Sequence, residues 1–370
     1  MKRALLVLPT YNERENIVSL IPKIFEQQSK INDWQLLILV VDDRSPDNTA
    51  KIVTKLKEKY KNLFLIEGKK LGLGKAYQRG FSYGIDKFNP AVIIEMDADW
   101  SHDPNDIPRF LEAIDSGADF VIGSRYIKGG SIPSNWGLHR KIFSYCGNLT
   151  IRLGFMKISI HDWTNGYRAM SADFLKNTLK KYSKLDGYIF QIGVLDTAIK
   201  HHIRIKEIPI HFKNRVRGVS KINSPQFISN IFLYILTNST FVRFAYVGLT
   251  GAVIDFGLSF LFIEKLFFPV WLSTVISAET AIISNFILNN FWSFAHKQIK
   301  FNLNAYLKGF AKFNAISIGS ILIQTTLLHY ATESLGVELW YIYKAAIIFL
   351  IIIPYSYILY NKIIWRGGKT

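Results

Sequence analysis

A chain of 370 residues, 49% of them apolar, with a formal net charge of +17, has room for two domains and carries more apolar side chains than a wholly water-soluble protein needs. Its single cysteine, Cys146, excludes an intrachain disulfide and a zinc site built from several thiolates. Because long apolar helical stretches fill residues 239–365, the positive excess points to anionic lipid headgroups and phosphorylated substrates, and a nucleic-acid partner is not expected.

Residues 1–222 read as a soluble α/β segment. The apolar run at 4–8, too short for a signal-peptide core, is predicted as a first strand, which keeps this segment in the cytoplasm. A helix is predicted over 12–28, a strand over 36–41, a helix over 47–60, a strand over 63–66 and a helix over about 72–87. Strands follow at 92–96 and 118–122, and a helix at 138–153. That alternation argues for a mostly parallel sheet with helices on its faces. On the 138–153 helix, Arg140 and Ser144 are four apart and share a face. Its apolar positions Leu138, Ile142, Tyr145, Cys146 and Leu149 suit core packing, lipid contact, or both.

Polar clusters sit where the strands end. They are Pro9-Thr10-Tyr11-Asn12-Glu13, the run from Asp42-Asp43 to Asp47-Asn48-Thr49, Asp97-Ala98-Asp99-Trp100-Ser101-His102, and Gly123-Ser124-Arg125-Tyr126. Each alone is ordinary turn and cap chemistry, with Thr10 and Asp47 as N-caps. Four of them at successive carboxyl ends mark the place where open α/β sheets bind ligands. Asp97 and Asp99 can reach a hard divalent cation and the phosphates it carries.

Taken in order, Pro-Thr-Tyr-Asn-Glu, Val-Asp-Asp-x-Ser-x-Asp-x-Thr, Gly72-Leu73-Gly74-Lys75-Ala76, Met-Asp-Ala-Asp-x-Ser-His and Gly-Ser-Arg-Tyr resemble the dolichyl-phosphate mannose synthases of glycosyltransferase family 2. The resemblance covers about residues 1–222 and implies an α/β GT-A domain, a GDP-mannose donor, Mg²⁺ or Mn²⁺, and dolichyl or another polyprenyl phosphate as acceptor. It implies single displacement with inversion, giving a β-linked mannosyl phosphate. Pro9, Tyr11, Glu13, Asp42 and Asp43 would bind the nucleoside, and which adjacent aspartate faces inward is left open. Gly72 and Gly74 would allow close backbone approach and Lys75 would reach a phosphate. Asp97, Ala98 and Asp99 would meet the donor diphosphate, with Asp97, Asp99 and Ser101 as metal ligands; some relatives carry Gln at the Ser101 position. His102 reads as a helix-start or packing residue.

A polyprenyl phosphate is ionised at neutral pH, so no base is needed, and positive groups that position two phosphorylated substrates carry the catalysis. Asp99, Arg125 and Arg140 are the catalytic candidates. Arg125, Arg140, Ser144, Lys213 and Arg217 are assigned to the acceptor, and Arg215 and Lys221 to the donor. Asp162 would orient Arg168 or a substrate.

Residues 223–238 are predicted as an interfacial helix with Phe227, Ile228, Ile231, Phe232 and Ile235 on its apolar face. Four spans are predicted at about 239–263, 270–294, 305–330 and 339–363. Basic residues in the central loop and the tail put both termini in the cytoplasm, making a multi-pass integral membrane protein embedded in the lipid bilayer. The Arg243–Gly248 and Ser284–Phe294 stretches, 243–248 and 284–294, resemble the GtrA-like family, which implies an all-α transmembrane domain of four helices over 239–370 and a partner module for polyprenyl-linked sugars. Asp255, Glu279 and Lys344 fall inside spans and are expected to form a buried cluster in which Lys344 pairs with an acid. A homo-oligomer is left open. The alternatives are a UDP-glucose donor or a lipid-linked sugar translocation module; a processive polysaccharide synthase would want a Gln-x-x-Arg-Trp motif that is missing from the chain.

Overall fold

The computed structural model describes residues 1–182, 185, 187–215 and 224–366. The chain divides into two compact units, Met1–Leu233 and Tyr234–Thr370.

The first unit is built on seven strands: β1 (Lys2–Thr10), β2 (Trp34–Asp42), β3 (Leu63–Glu67), β4 (Val92–Glu95), β5 (Phe120–Ser124), β6 (Arg168–Ser171) and β7 (Ile205–Pro209). They lie in the order β3-β2-β1-β4-β6-β5-β7, all parallel except β6, which runs antiparallel to both β4 and β5. The five expected strands are present, and β6 and β7 are additional. Four residues opening on a buried arginine give β6 no strand signature, so only its neighbours decide it.

Side-chain alternation splits the core into two faces. Leu6, Leu8, Leu36, Ile38 and Val40 pack with Ile17, Leu20, Ile21 and Ile24 of α1 (Arg14–Phe25), Val53 of α2 (Thr49–Lys59) and Phe110 of α4 (Ile107–Asp115). Leu5 and Leu39 face the other side, against α3 (Leu73–Phe88). There the helix approaches so closely that a Cβ on Gly84 would fall 2.2 Å from Leu5 Cδ2. The unit continues with α5 (Leu138–Gly154), α6 (Ala172–Thr178), α7 (Gly187–Lys200) and α8 (Ser224–Asn238), and the boundary between units falls within α8. Of the apolar face expected on α8, Ile231 and Ile235 are buried and Phe232 is exposed.

The second unit is helical: α9 (Thr240–Lys265), α10 (Val270–Ser293), α11 (Leu303–Leu335) and α12 (Trp340–Ile364). Among the described residues, α9, α10 and α12 are long and apolar enough to cross a membrane. The longer α11 is diluted by Asn314, Ser317, Ser320, Gln324 and His329. On α10 the buried positions Ser273, Ser277 and Ala281 recur every fourth residue, the small-residue spacing that lets helix backbones approach. Gly251 of α9 meets Asn285 of α10, where an added Cβ would sit 2.3 Å from the amide. The cluster expected of Asp255, Glu279 and Lys344 does not form. Ser277 Oγ donates to Asp255 Oδ1 at 2.6 Å, Glu279 is exposed, and among the described residues Lys344 makes no ion pair but lies beside Trp340. Helical phase is the reason: with Ser277 and Ala281 turned inward, Glu279 between them points out.

Asn290 ties this unit together. Its Oδ1 accepts the Ile299 amide at 2.8 Å and the Trp365 indole N–H at 2.9 Å, and its Nδ2 donates to the Tyr306 hydroxyl at 2.9 Å. Trp365, fully buried, stacks on Phe294 with centroids 4.5 Å apart.

Candidate functional site

Parallel strands bring the carboxyl ends of β1, β2, β4, β5 and β7 to one edge, and the reversal of β6 brings its amino end to the same edge. Asp97, Ala98 and Asp99 lie just beyond β4, and Trp100 takes a left-handed φ of 67° that turns the loop sharply. Asp99 is buried: Oδ1 accepts the Ser101 amide at 3.0 Å, and Oδ2 lies 2.9 Å from Arg215 Nε. The recess around Asp97 pushes its carboxyl above the usual range; His102 and Arg215 oppose this and Asp99 reinforces it. Ser101 Oγ is buried and makes no hydrogen bond among the described residues. This is a set of hard oxygen donors, two carboxylates and an unclaimed hydroxyl, whose chemistry fits a small divalent cation; Asp97, Asp99 and Ser101 would hold it once Asp99 Oδ2 leaves Arg215.

His102 is a packing residue with directed hydrogen bonds. Its ring stacks on Tyr167 at 4.8 Å and meets Phe212 edge-on at 5.6 Å. Nδ1 accepts the Asp97 amide at 3.1 Å, and Nε2 lies 3.1 Å from Asn165 Oδ1.

The nucleoside side is sorted by its hydrogen bonds. Asp42 is committed to its own loop: Oδ1 accepts the Thr10 hydroxyl at 2.8 Å and the Ser45 hydroxyl at 2.6 Å, and Oδ2 accepts the Ser45 amide at 2.8 Å. Thr10 therefore braces Asp42 and is not an N-cap. Asp47 is not the N-cap residue either, since Asn48 precedes α2, but its carboxylate accepts amides at two helix starts, Thr49 and Arg14, at 3.0 Å each. Asp43 pairs with Arg79; burial pushes its carboxyl up and Arg79 pulls against that. Half-buried Tyr11 lies under Lys70, whose ammonium is 3.6 Å from the ring centroid. Glu13 holds Asn16 Nδ2 at 2.7 Å, and Pro9 is half-buried at the end of β1. Lys75 stands half-buried in the first turn of α3. Gly72 takes a positive φ of 99° before that helix, but Gly74 serves packing, since a Cβ there would lie 2.9 Å from Phe190 Cβ.

On the opposite flank, Arg125 forms a bidentate pair with Asp162, Nε to Oδ2 and Nη2 to Oδ1 at 2.7 Å each. The Arg125 amide also donates to Asp162 Oδ2 at 3.0 Å, and Nη2 reaches Thr164 Oγ1 at 2.9 Å. Burial raises the Asp162 carboxyl, but the Arg125 charge and its hydrogen bonds prevail and hold it below the usual range. Asp162 thus orients Arg125, not Arg168. Arg168 is claimed by the carbonyls of Asn165, Trp163 and Gln191. Across the β4–β6 ladder from Arg168 lies Glu95, fully buried, which burial pushes up to about 7 against the pull of Arg168 and of the Gln191 amide beside it.

Exposed Arg140 stacks over Trp136 at 3.9 Å, and Trp136 donates to Asn214 at 2.7 Å. Ser144 shares a 2.5 Å hydrogen bond with Tyr126. Lys213 is held by Asp103 at 2.7 Å, so its ammonium is committed to an acid in this structure. Leu138, Ile142, Phe143, Tyr145, Leu149 and Leu153 leave α5 with an exposed apolar face, which decides against core packing for those positions.

Residues 5–179 match glycosyl transferase family 2, and residues 243–365 match the GtrA/DPMS transmembrane domain. The chain is 38% identical over 224 residues to the polyprenol monophosphomannose synthase of Mycolicibacterium smegmatis, covering 60% of this chain and 82% of that one. It is 32% identical over 297 residues to the dolichol-phosphate mannosyltransferase of Pyrococcus furiosus, covering 78% and 80%. It is 37% identical over 222 residues to the undecaprenyl-phosphate mannosyltransferase of Micrococcus luteus, covering 60% and 88%.

The chain belongs to glycosyltransferase family 2.

In this family 2 glycosyltransferase the α/β unit is a GT-A fold, and the helical unit makes it a membrane protein. The structure gathers Asp97, Ala98, Asp99, Ser101 and Arg215 at one end of β4, and Arg125, Arg140 and Ser144 around the end of β5 and the start of α5. Arg217 and Lys221 lie outside the described residues. Sequence reasoning missed Lys70, Arg79, Glu95 and Asn165. Glu95 had a signal, a charge inside the apolar run Val92-Ile93-Ile94-Glu95-Met96, and Arg79 had none beyond its place on α3.

Proposed function

We propose that this glycosyltransferase moves mannose from GDP-mannose to a polyprenyl phosphate, dolichyl phosphate among them, with inversion. The observation that carries the reading is the pairing, on one sheet edge, of an acid loop (Asp97, Asp99) with an arginine clamp (Arg125 on Asp162) in a chain whose relatives are named as polyprenol-phosphate mannosyltransferases.

On this reading Asp97 and Asp99, with Ser101, would hold Mg²⁺ or Mn²⁺, which neutralises the departing nucleoside diphosphate. Tyr11, Glu13 and Asp43 would take the nucleoside, with Pro9 against it and Lys70 and Lys75 near the phosphates; Asp42 supports them by fixing its loop. Arg215 and Lys221 would cover the diphosphate, and Arg217 would face the acceptor. Arg125, Arg140, Ser144 and Lys213 would orient the acceptor phosphate, Lys213 only after leaving Asp103. An acceptor phosphate oxygen attacks the anomeric carbon from the face opposite the leaving group. The bond from that carbon to the nucleoside diphosphate breaks, and its electrons stay on the diphosphate. The acceptor arrives ionised, so no side chain has to remove a proton, and positioning carries the rate. The exposed apolar face of α5 beside Arg140 supports an acceptor presented from a lipid surface. Basic loops support a cytoplasmic placement of both termini.

The test is a panel of radiolabelled sugar nucleotides given to membranes carrying the full chain, with added polyprenyl phosphate and Mg²⁺ or Mn²⁺. Mannolipid formed from GDP-mannose is the expected result. Labelling only from UDP-glucose would replace the donor assignment, and no labelling from any donor would defeat the reading.

A further inference from the structure

A continuous path of hydrogen bonds joins the two halves of the site. The Asp97 amide donates to His102 Nδ1 at 3.1 Å, and His102 Nε2 lies 3.1 Å from Asn165 Oδ1. The Asn165 amide donates to Asp162 Oδ1 at 3.1 Å, and Asp162 holds Arg125 through one guanidinium edge, Nε and Nη2. The polarity is consistent at each step. Asn165 Nδ2 donates to the Gly123 carbonyl, so its Oδ1 is the atom facing His102. His102 Nδ1 is an acceptor, so Nε2 carries the hydrogen toward Asn165. Every member between the ends is buried: His102 at 1%, Asn165 at 2% and Asp162 at 0% exposure. Tyr167 and Phe212 clamp the imidazole, and Phe212 also lies 5.3 Å from the Arg125 guanidinium.

Topology explains why such a path exists. β4 and β5 are not neighbours; β6 is inserted between them and runs the other way. The loop leading into β6 must therefore cross the edge between the end of β4 and the end of β5, and Asp162 and Asn165 are on that loop.

We infer that His102 and Asn165 are positioning residues, which hold the acid loop of the donor side at a fixed distance from the arginine clamp of the acceptor side. This rests on the proposed reading of the two flanks. Neither residue touches the reacting atoms. What they supply is registration: in-line displacement needs donor and acceptor aligned to within a fraction of an ångström, and buried, directional hydrogen bonds resist the sliding that aromatic packing alone allows.

Three variants of the full chain in membranes separate this role from simple packing. His102→Phe keeps the ring between Tyr167 and Phe212 and removes the hydrogen bonds to the Asp97 amide and to Asn165. His102→Asn can still accept the Asp97 amide but is too short to reach Asn165. Asn165→Ala cuts the path at its next member. Each is expected to lower kcat for mannolipid formation about 10–100-fold, with donor KM changed less than about threefold. The His102→Phe, Asn165→Ala double variant should be no slower than the worse single one, because either change breaks the same path. A His102→Phe or His102→Asn enzyme at the wild-type rate, or single losses that multiply in the double variant, would overturn the inference. Native-state hydrogen exchange supplies a readout that does not depend on the substrate. In Asn165→Ala the amides of Asp97 and Arg125 should both exchange at least about tenfold faster. Faster exchange at Arg125 alone would overturn the relay. If wild-type enzyme transfers no mannose, the functional reading fails while the exchange result still decides the relay.

Discussion

Both units of this protein bury polar side chains, but they bury different kinds. In the α/β unit the interior groups at the site edge are charged, and Asp99, Asp162 and Arg168 each meet a counter-charge or backbone dipoles. In the helical unit the interior groups are mostly amides and hydroxyls: Asn289, Asn290, Ser293, Ser320 and Ser356. A water-facing edge can keep charges ready for charged ligands, because solvent and substrate complete their solvation. Inside a lipid-facing bundle an uncompensated charge is costly, and neutral groups join helices at lower risk. Charge in the first unit should therefore set rate and pH dependence, and neutral hydrogen bonds in the second should set stability alone.

The largest effect expected is on rate. On the proposed reading, Asp99→Ala should lower mannosyl transfer by about a thousandfold or more, measured with labelled donor, because it removes a carboxylate that would hold the cation neutralising the departing diphosphate. A similar loss from an α10 variant of unchanged stability would break the comparison.

Next comes the clamp. Asp162→Asn leaves Arg125 buried without its counter-charge and should destabilise the α/β unit by about 3–5 kcal/mol in denaturant titrations at neutral pH. The sign with pH follows from the direction of the shift. Asp162 is held below the usual carboxylate range, so its contribution is present above that range and is lost as pH falls through the lowered pKa. The gap between wild type and variant should close only in strong acid.

Glu95 runs the opposite way. Its carboxyl is pushed up to about 7, so the native state holds a proton that the unfolded chain has released, and stability falls as pH rises from the ordinary glutamate range to about 7. Glu95→Gln should therefore match wild type near pH 4 and exceed it at pH 8, by up to ~3 kcal/mol. A wild type that gains stability over that interval relative to the variant would reverse the assignment. The smallest effect belongs to the helical unit: Asn290→Leu should cost about 1–3 kcal/mol by leaving the Trp365 and Ile299 N–H groups unpaired, while the transfer rate at low temperature stays within about twofold.

Much of the fold was legible because apolar periodicity is a local property. β1, β2, β3, β4 and β5 follow from their apolar runs, and α9, α10 and α12 from length and hydropathy. β6 was not legible, since Arg168-Ala169-Met170-Ser171 becomes a strand only by filling the gap between β4 and β5. The gathering of Asp97, Asp99 and Ser101 could be read from chain order. The partners could not: Arg125 takes Asp162 and not Arg168, Lys213 takes Asp103, and Lys344 lacks the acid expected of it among the described residues.

Residue order alone determined that one edge of a parallel sheet would carry acids and arginines, and that a bundle of apolar helices would follow. Backbone hydrogen bonding and burial act within a few residues, and their periodicities of 2.0 and 3.6 are written into the chain. Tertiary structure alone decided which charge meets which, because those pairings depend on a reversed strand, on helical phase and on which carbonyls already claim a guanidinium. Arg168 and Arg125 have the same side chain. Only their surroundings differ: three carbonyls claim Arg168, and a carboxylate holds Arg125 at the sheet edge where the acceptor site is proposed.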